Sequence, residues 1–357
     1  MQIHIIWWRA KALTNVLVTG GSGFLGSHII HELKQNHYNV LVMDIKPPKQ
    51  KGIGFIKQDI RKPFSIGRDF DYCIHLAALV GGIQYFHAHQ ALNIHDNSLI
   101  LANLFEACAN SNIKRIIYSS SSVVYQHAKT FPTPEEETKR IPPPSSAYGY
   151  TKLLGEYFCE AYREDRGLPY TILRPFNAYG PGEAPDMDYA HAIPQLVWKV
   201  LNCQYPVEIF GSGEQTRCFT YGTDIARAFV LSMGHPKAKN EIFNVSSNEE
   251  IRIVDVLRKI WELTDQKKPL AVKNLPPFPE DVIRRIPSTE KIKEKLGWRA
   301  EVSFEEGLTK TIRWLKKFTK HPPKWFSYTN FTEREVEGNN QSTSRGLLMK
   351  RFVGTEE

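Results

Sequence analysis

At 357 residues, with 41% hydrophobic and 24% charged side chains, the chain is long enough for one large or two modest domains with a sizeable core, and its composition excludes wholesale disorder. The formal charge of +8 comes from Lys and Arg mixed with acids through most of the chain and enriched mainly from Lys267 onward. No nucleic-acid-binding motif accompanies it, so it reads as a solvated basic face whose field favours an anionic small substrate.

Met1 to Leu13 read as an extension ahead of the first strand. Its apolar run, Ile3 to Trp8, is shorter than a signal-peptide core and follows no basic residue, and no run in the chain approaches the roughly 20 apolar residues of a membrane span. Cys73, Cys108, Cys159, Cys203 and Cys218 are scattered without a Cys-x-x-Cys pair, which fits a reducing compartment rather than a disulfide framework or a zinc site. A cytoplasmic protein is expected. Asn15 to Thr19 then read as a strand, followed at once by Gly20-Gly21-Ser22-Gly23-Phe24-Leu25-Gly26 and a helix from Phe24 to Asn36. Strand, glycine turn and helix in that order are the context that gives a glycine pattern meaning. Gly20 allows a tight turn, Gly23 a close approach of backbone to a diphosphate, and Gly26 close packing of helix on strand. The diphosphate would rest on free amides at the helix start.

A second strand, Asn39 to Met43, ends at Asp44, whose carboxylate would accept the ribose hydroxyls of an adenosine and repel a 2′-phosphate, which favours NAD over NADP. Further strands are expected at Phe55 to Gln58, before Asp59 and Ile60; at Asp71 to Leu76, before Ala77 and Ala78; and at Arg115 to Ser119. Helical periodicity covers Asn93 to Asn110. Alternating strands and helices imply a parallel sheet with helices on both faces and ligands at the strands' carboxyl ends. The serines Ser119 to Ser122 lie at such an end.

Phe131 to Ser146, rich in proline and acidic residues, reads as a loop leading to a helix from Tyr148 to about Arg166. Tyr148 and Lys152, four apart on that helix, can share one site, and an ammonium beside a phenol is expected to favour the phenolate and produce a general base for an alcohol. Tyr170 to Arg174 is a sixth strand. Beyond Pro175 the pattern loosens into a helix at Ala192 to Leu201, a strand at Val207 to Ile209, a helix at Thr223 to Met233, a strand at Ile242 to Val245, a short helix at Ser288 to Leu296 stopped by Gly297, and a last helix capped by Ser303. The expected division is a dinucleotide-binding part at 14–180, a smaller lobe at 181–320 that exchanges some chain with it, and a polar tail from His321. His87, His89, His95 and His191 lack the paired spacing with an acid that a metal site needs, and none is expected.

With these residues in place the sequence resembles the extended short-chain dehydrogenase/reductase family, in its nucleotide-sugar epimerase branch. The resemblance runs from about Asn15 to Leu315. It is carried by the Gly20/Gly23/Gly26 turn, Asp59-Ile60, His75 to Ala78, Tyr148/Lys152, Arg174 to Asn177, Gly211 to Arg217 and Leu296-Gly297-Trp298. It implies a doubly wound parallel α/β Rossmann sheet with a smaller C-terminal substrate-binding α/β lobe, and NAD as cofactor. It further implies adenine contacts from Asp59 and Ile60, a dinucleotide lining that takes in Phe24, Leu25, Leu76, Ala77, Ala78, Asn97, Ser119 and Phe176, and Lys152 on the nicotinamide ribose. Ser121, four residues before Tyr125, would be the partner of Tyr148. Asn177, Arg217 and Arg285 would grip a substrate diphosphate and Phe210 would stack on its base. A homodimer through the helices at 93–110 and 148–166 is implied as well.

Departures from the family pattern narrow the reaction. Similar 4,6-dehydratases carry Asp-Glu directly after the catalytic serine or threonine and glucuronate decarboxylases a Glu two residues after it, where this chain has Ser122 and Val123. Leu79-Val80-Gly81-Gly82-Ile83 resembles the GDP-mannose 3,5-epimerases, which have a cysteine at the place of Val123, and no acid/base pair for carbons 3 and 5 is evident in the sequence. The expected reaction is therefore 4-epimerisation of a nucleotide-diphosphate sugar, a UDP-sugar first and a GDP-sugar second. Decarboxylation, dehydration, net oxidation, or an NAD-binding regulatory module without catalysis are the alternatives.

Overall fold

The computed structural model describes residues 14–67, 69–80, 89–183, 185, 190–277 and 281–320. The extension Met1 to Leu13, the Gly81-Gly82-Ile83 segment, His87 and the tail from His321 lie outside the described residues. The chain divides into a compact unit ending at Leu315 and a second beginning at Lys316, and the fold that follows is that of the first.

Short β-branched and aliphatic runs make β1 (Asn15–Thr19), β2 (Asn39–Asp44), β3 (Gly54–Lys57), β4 (Tyr72–His75), β5 (Arg115–Ser119) and β6 (Tyr170–Pro175). Four short strands follow, β7 (Ala178–Tyr179), β8 (Val207–Phe210), β9 (Thr216–Cys218) and β10 (Thr220–Tyr221), before β11 (Glu241–Val245) returns to the main sheet. After it come β12 (Glu250–Arg252), β13 (Val272–Leu275) and β14 (Arg284–Arg285). The main sheet has seven strands in the order β11-β6-β5-β4-β1-β2-β3, and every pairing in it is parallel. Strand order reverses between β1 and β4, which opens a crevice beyond their carboxyl ends.

Helices α1 (Phe24–Gln35), α2 (Gln90–Ala109), α3 (Ala147–Arg166), α4 (Ala192–Leu201), α5 (Gly222–Gly234), α6 (Ile253–Leu263), α7 (Glu290–Leu296) and α8 (Phe304–Lys320) complete the described elements. Side chains alternate across the pleat, so Val16 and Val18 meet Ile29, Ile30 and Leu33 of α1 and Phe229 and Met233 of α5 on one face, while Leu17 meets Leu101, Leu104 and Phe105 of α2 on the other. A third cluster joins Leu196, Val197 and Val200 of α4 to Leu257 and Ile260 of α6 and Leu308, Ile312 and Leu315 of α8. Among the described residues no helix is long and apolar enough to cross a membrane.

Several elements depart from the sequence reading. Helix α6 was not expected, although Ile253, Val254, Leu257 and Ile260 carry a helical spacing. Strands β7, β9, β10, β12 and β14 are two or three residues long, too short to show any period, and the four-residue β13 is likewise absent from the sequence reading. The loop expected from Phe131 to Ser146 contains a 3-10 turn, Glu135–Lys139, and an isolated bridge from Thr133 to Pro287. Helix α7 starts at Glu290 rather than Ser288, and the start of α8 is capped as expected, with Glu306 N–H donating to Ser303 Oγ at 3.3 Å.

Candidate active site

The crevice between β1 and β4 is floored by glycine. Gly20 has φ +73°, and a Cβ placed there would sit 2.4 Å from Ala77 N, so the turn after β1 lies directly against the turn after β4. Only glycine fits both demands. At Gly23 the nearest atom to such a Cβ is Gly20 O at 3.4 Å, which keeps this corner low, and a Cβ at Gly26 would meet Gly21 O at 2.5 Å. Gly26 therefore lets the start of the helix pack directly on the Gly21 backbone of the turn. The first turn of α1 has neither a side-chain cap nor an acidic residue, so the amides of Phe24, Leu25 and Gly26 are available to an anion. At the end of β2 Asp44 Oδ2 accepts Ser22 N–H at 3.1 Å, which fixes the carboxylate beside the glycine turn. These features fit a dinucleotide diphosphate with its adenosine ribose over Asp44. Replacing Gly20 with Ala is expected to cost at least about 2 kcal/mol, from the left-handed backbone and the collision at Ala77 together. Thermal melts with and without NAD should show both a lower Tm and loss of the NAD-induced shift.

Other expected cofactor contacts are placed unevenly. Leu76, Ala77 and Ala78 are half-buried at the end of β4. Asp59 is held by Arg61, whose guanidinium also reaches Asp96 at 2.7 Å, and the hydrogen bonds from Arg61 keep the Asp59 carboxyl below its usual range. Ile60 is buried beside it. Asn97 differs from expectation: its Oδ1 accepts Leu79 N–H at 2.7 Å and its Nδ2 serves Leu79 O and Asn93 Oδ1. It clamps the backbone of Leu79, two residues beyond Ala77. Phe176 is fully buried against Val124, Tyr125, Ala128 and Leu153, with its ring stacked on Tyr125, so its side chain is core rather than cofactor lining.

Helix α3 carries Tyr148 and Lys152. Ser146 caps it by accepting Gly149 N–H at 3.2 Å, and Gly167 ends it in the left-handed conformation. One buried stripe of the helix carries Lys152, Gly155, Glu156 and Cys159, one turn on from half-buried Tyr148. A Cβ at Gly155 would lie 2.1 Å from the Tyr118 hydroxyl, so glycine lets Tyr118 cross the helix and donate to Lys152 O at 3.1 Å. Lys152 Nζ donates to Ser119 O at 2.7 Å and lies 5.7 Å from the centre of the Tyr148 ring. Tyr148 shares a hydrogen bond with Ser121, the residue that caps the 3-10 turn Ser122–Tyr125. The three side chains named from the sequence therefore converge.

Their electrostatics correct one expectation. Burial pushes the Tyr148 phenol up to about 12, opposed by the hydrogen bond from Ser121, so Lys152 does not bring it toward neutrality in the protein alone. Burial likewise pushes Lys152 down to about 8, opposed by the charge of Glu156. Behind them His75, hydrogen-bonded to Thr19 and stacked on Tyr118, is held neutral by burial, which takes it down to about 3.

A second group of residues lies on β8, β9 and β14 and in the segment after β6. Strands β9 and β14 pair in parallel with Arg217 opposite Arg285, and Asp281 pairs with Arg217 Nη2 at 3.1 Å. Arg285 Nε has no hydrogen-bond partner among the described residues, and burial, then the neighbouring Arg217, push Arg285 down to about 9. Among the described residues, two guanidinium groups thus share the one carboxylate of Asp281. Asn177, at φ +37°, donates Nδ2 to Cys218 O at 2.9 Å, which spends one of its two amide hydrogens on β9. Phe210 is half-buried, and Lys199 Nζ lies over its ring at 5.8 Å.

The sequence reading missed a further pair. Glu183 is buried, and its Oε1 accepts His191 N–H at 3.0 Å and pairs with Nδ1 at 2.5 Å, while Oε2 has no partner among the described residues. The carboxylate raises the His191 pKa, whereas desolvation opposes it, although 52% of the His191 side chain is open. Adjacent Gly182 lies beside Ser27 and Phe24 of α1, which ties this segment to the glycine turn.

The sequence signature described as "NAD dependent epimerase/dehydratase family" matches residues 16–246. The chain belongs to that family. A UDP-N-acetyl-alpha-D-glucosaminuronate decarboxylase of Bacillus cytotoxicus is 33% identical over 320 residues, 84% of this chain and 97% of the relative. A GDP-mannose 3,5-epimerase of Arabidopsis thaliana is 27% identical over 355 residues, 96% and 93% of the two chains. The crystal structure of UDP-glucose 4-epimerase from Thermotoga maritima with UDP-glucose superposes with a TM-score of 0.74 at 31% identity, covering 86% of this chain and 100% of that one. This epimerase/dehydratase is thus an NAD-dependent enzyme of nucleotide-sugar chemistry with a Rossmann-type sheet.

Proposed function

We propose that the enzyme inverts carbon 4 of a nucleotide-diphosphate sugar, a UDP-sugar before a GDP-sugar. The observation that carries this reading is the convergence of Ser121, Tyr148 and Lys152 beside the glycine cradle, with no carboxylate at Ser122 or Val123 for a further step. When bound, NAD+ supplies the hydride acceptor for carbon 4 and a cationic ring that favours the phenolate. Tyr148 takes the proton of the 4-hydroxyl and returns it, Ser121 donates to the same oxygen, and Lys152, anchored on Ser119 O, adds positive charge below the phenol. Arg217 and Arg285 grip the diphosphate, which lets the sugar ring present either face of carbon 4 to Tyr148. The sheet with α1, α2 and α3 holds the cofactor, and the smaller lobe holds the nucleotide sugar.

Supplied with UDP-glucose, UDP-galactose, UDP-glucuronate or GDP-mannose, purified enzyme should give the 4-epimer of one of them by product chromatography, with no net NADH. A pentose product or accumulating NADH would overturn the reading.

One observation favours a second reading. A histidine oriented by a buried carboxylate is a general acid/base unit, and Glu183 with His191 forms one on a segment adjoining the glycine turn. Beside a 4-keto sugar it could exchange protons at carbon 3 or 5, and the Arabidopsis relative is a 3,5-epimerase. Turnover in deuterium oxide separates the two: 4-epimerisation alone leaves carbons 3 and 5 unlabelled.

A homodimer is part of the same proposal. Leu92, Ile94 and Leu99 on α2 and Tyr150 and Tyr157 on α3 are exposed, which supports pairing of these helices with a second copy. Light scattering of the eluting protein should give twice the chain mass.

A further inference from the structure

Beneath the catalytic residues lies a buried ion pair that the proposed chemistry does not use. Glu156, one turn beyond Lys152 on α3, is 4% exposed and Arg174 on β6 is 1% exposed. Glu156 Oε1 accepts Arg174 Nε at 2.8 Å and Oε2 accepts Nη2 at 2.6 Å. Arg174 also donates through Nη1 to the Tyr125 hydroxyl and, at 2.8 Å, to Glu135 O, and its guanidinium stacks over the Tyr125 ring. A pair this deep rarely adds much stability over apolar residues of the same volume, so its retention asks for another reason.

The contacts of Glu156 suggest one. Its Oε1 also accepts the hydroxyl of Ser120. Ser120 sits between Ser119, whose carbonyl anchors Lys152, and Ser121, which bonds Tyr148. Tyr125, at the far end of the 3-10 turn that Ser121 caps, is held by Arg174. The pair thus fixes both ends of the turn bearing Ser121.

We propose that Glu156, paired with Arg174, is a positioning residue that sets Ser121 and Lys152 together around Tyr148. This inference rests on the catalytic roles given above to those three residues. Electrostatics point the same way, because Glu156 is the carboxylate whose charge supports Lys152. Among the described residues, Lys152 also faces Tyr148 on α3, Tyr118 on β5 and neutral His75 on β4, and through them it reaches Cys159 behind Tyr118 and Arg174 behind Glu156.

The test follows the Nζ resonance of Lys152 in nitrogen-15 lysine-labelled protein, assigned by its loss in Lys152→Met, together with turnover. Glu156→Gln removes the anion and leaves Arg174 unpaired, so the Lys152 pKa should fall by about one unit or more. Arg174→Met leaves Glu156 unpaired, so the same resonance should titrate higher. The opposite shifts report the field of the pair at Lys152, and the positioning itself is read from kcat. Ser120→Ala should lower kcat by roughly 10²-fold with KM little changed, since misplacing a reacting group by about 1 Å has that effect. Where a single charge variant does not fold, the double variant Glu156→Gln/Arg174→Met, neutral and similar in volume, takes its place. It should keep the Lys152 titration near its original position and lose kcat as Ser120→Ala does. Unchanged kcat in Ser120→Ala with an unmoved Lys152 titration in the folded charge variants would overturn the inference. Failure of the 4-epimerase reading would show separately, as wild-type protein inert toward the sugars while the titration still shifts.

Discussion

Replacing Tyr148 with Phe is expected to lower turnover by about 10²- to 10⁴-fold, the range for losing a positioned general base. The ring stays, so packing at the start of α3 is kept, and Lys152 retains its bond to Ser119 O. The variant should still bind NAD, which separates a chemical defect from a structural one. Undiminished product formation by Tyr148→Phe would end the base assignment.

The pH dependence of the wild type has a definite sign. A phenol pushed up to about 12 is neutral at pH 7 in the ligand-free protein, so its ionisation belongs to the loaded site. Lys152, pushed down to about 8, loses its charge as pH rises through that value, and kcat/KM, which reports the free enzyme, should decline there. Stability moves the other way. Lys152 binds its proton more weakly in the folded chain than its ordinary value of 10.5, so its contribution improves as pH rises from about 8 toward 10.5.

Much of this site could be read in the chain because it is local. The glycine turn, Asp44 and the Tyr148/Lys152 pair each sit in one strand, turn or helix, where spacing fixes which side chains share a face. The expected sheet strands match the observed ones to within a residue or two, since their apolar runs are bounded by turns. What spacing could not reveal was long-range. Arg217 and Arg285 were linked only by family resemblance, and nothing local places them opposite each other across β9 and β14. The Glu183 and His191 pair spans an irregular segment with no period to read. Phe176 belongs to a motif that suggested a ligand contact, yet just past the end of β6 its ring packs into the core beside Tyr125. The raised phenol was missed because spacing shows neighbours and not desolvation, which here outweighs every other influence on Tyr148.

Replacing Arg285 with Met is expected to stabilise the ligand-free enzyme and weaken its hold on the nucleotide sugar. Asp281 is hydrogen-bonded to Arg217 and its charge also reaches Arg285, whose Nε has no partner among the described residues, so two cations share one described carboxylate until an anion arrives. Met keeps the apolar stem and removes the charge. Burial and Arg217 push Arg285 down to about 9, so holding its charge costs stability at pH 7. The Tm gain of Arg285→Met should accordingly be clear at pH 7. Losing a charged hydrogen bond to a diphosphate is worth about 1.5–3 kcal/mol, a rise in KM of roughly ten- to a hundredfold. Because the diphosphate is gripped alike in the bound sugar and in its transition state, kcat should change much less. A lower Tm at pH 7 together with an unchanged KM would show that Arg285 serves the fold instead, and would remove the anion-gripping role from β14. The opposite result would place this strand among sites where a binding charge is kept at the expense of stability.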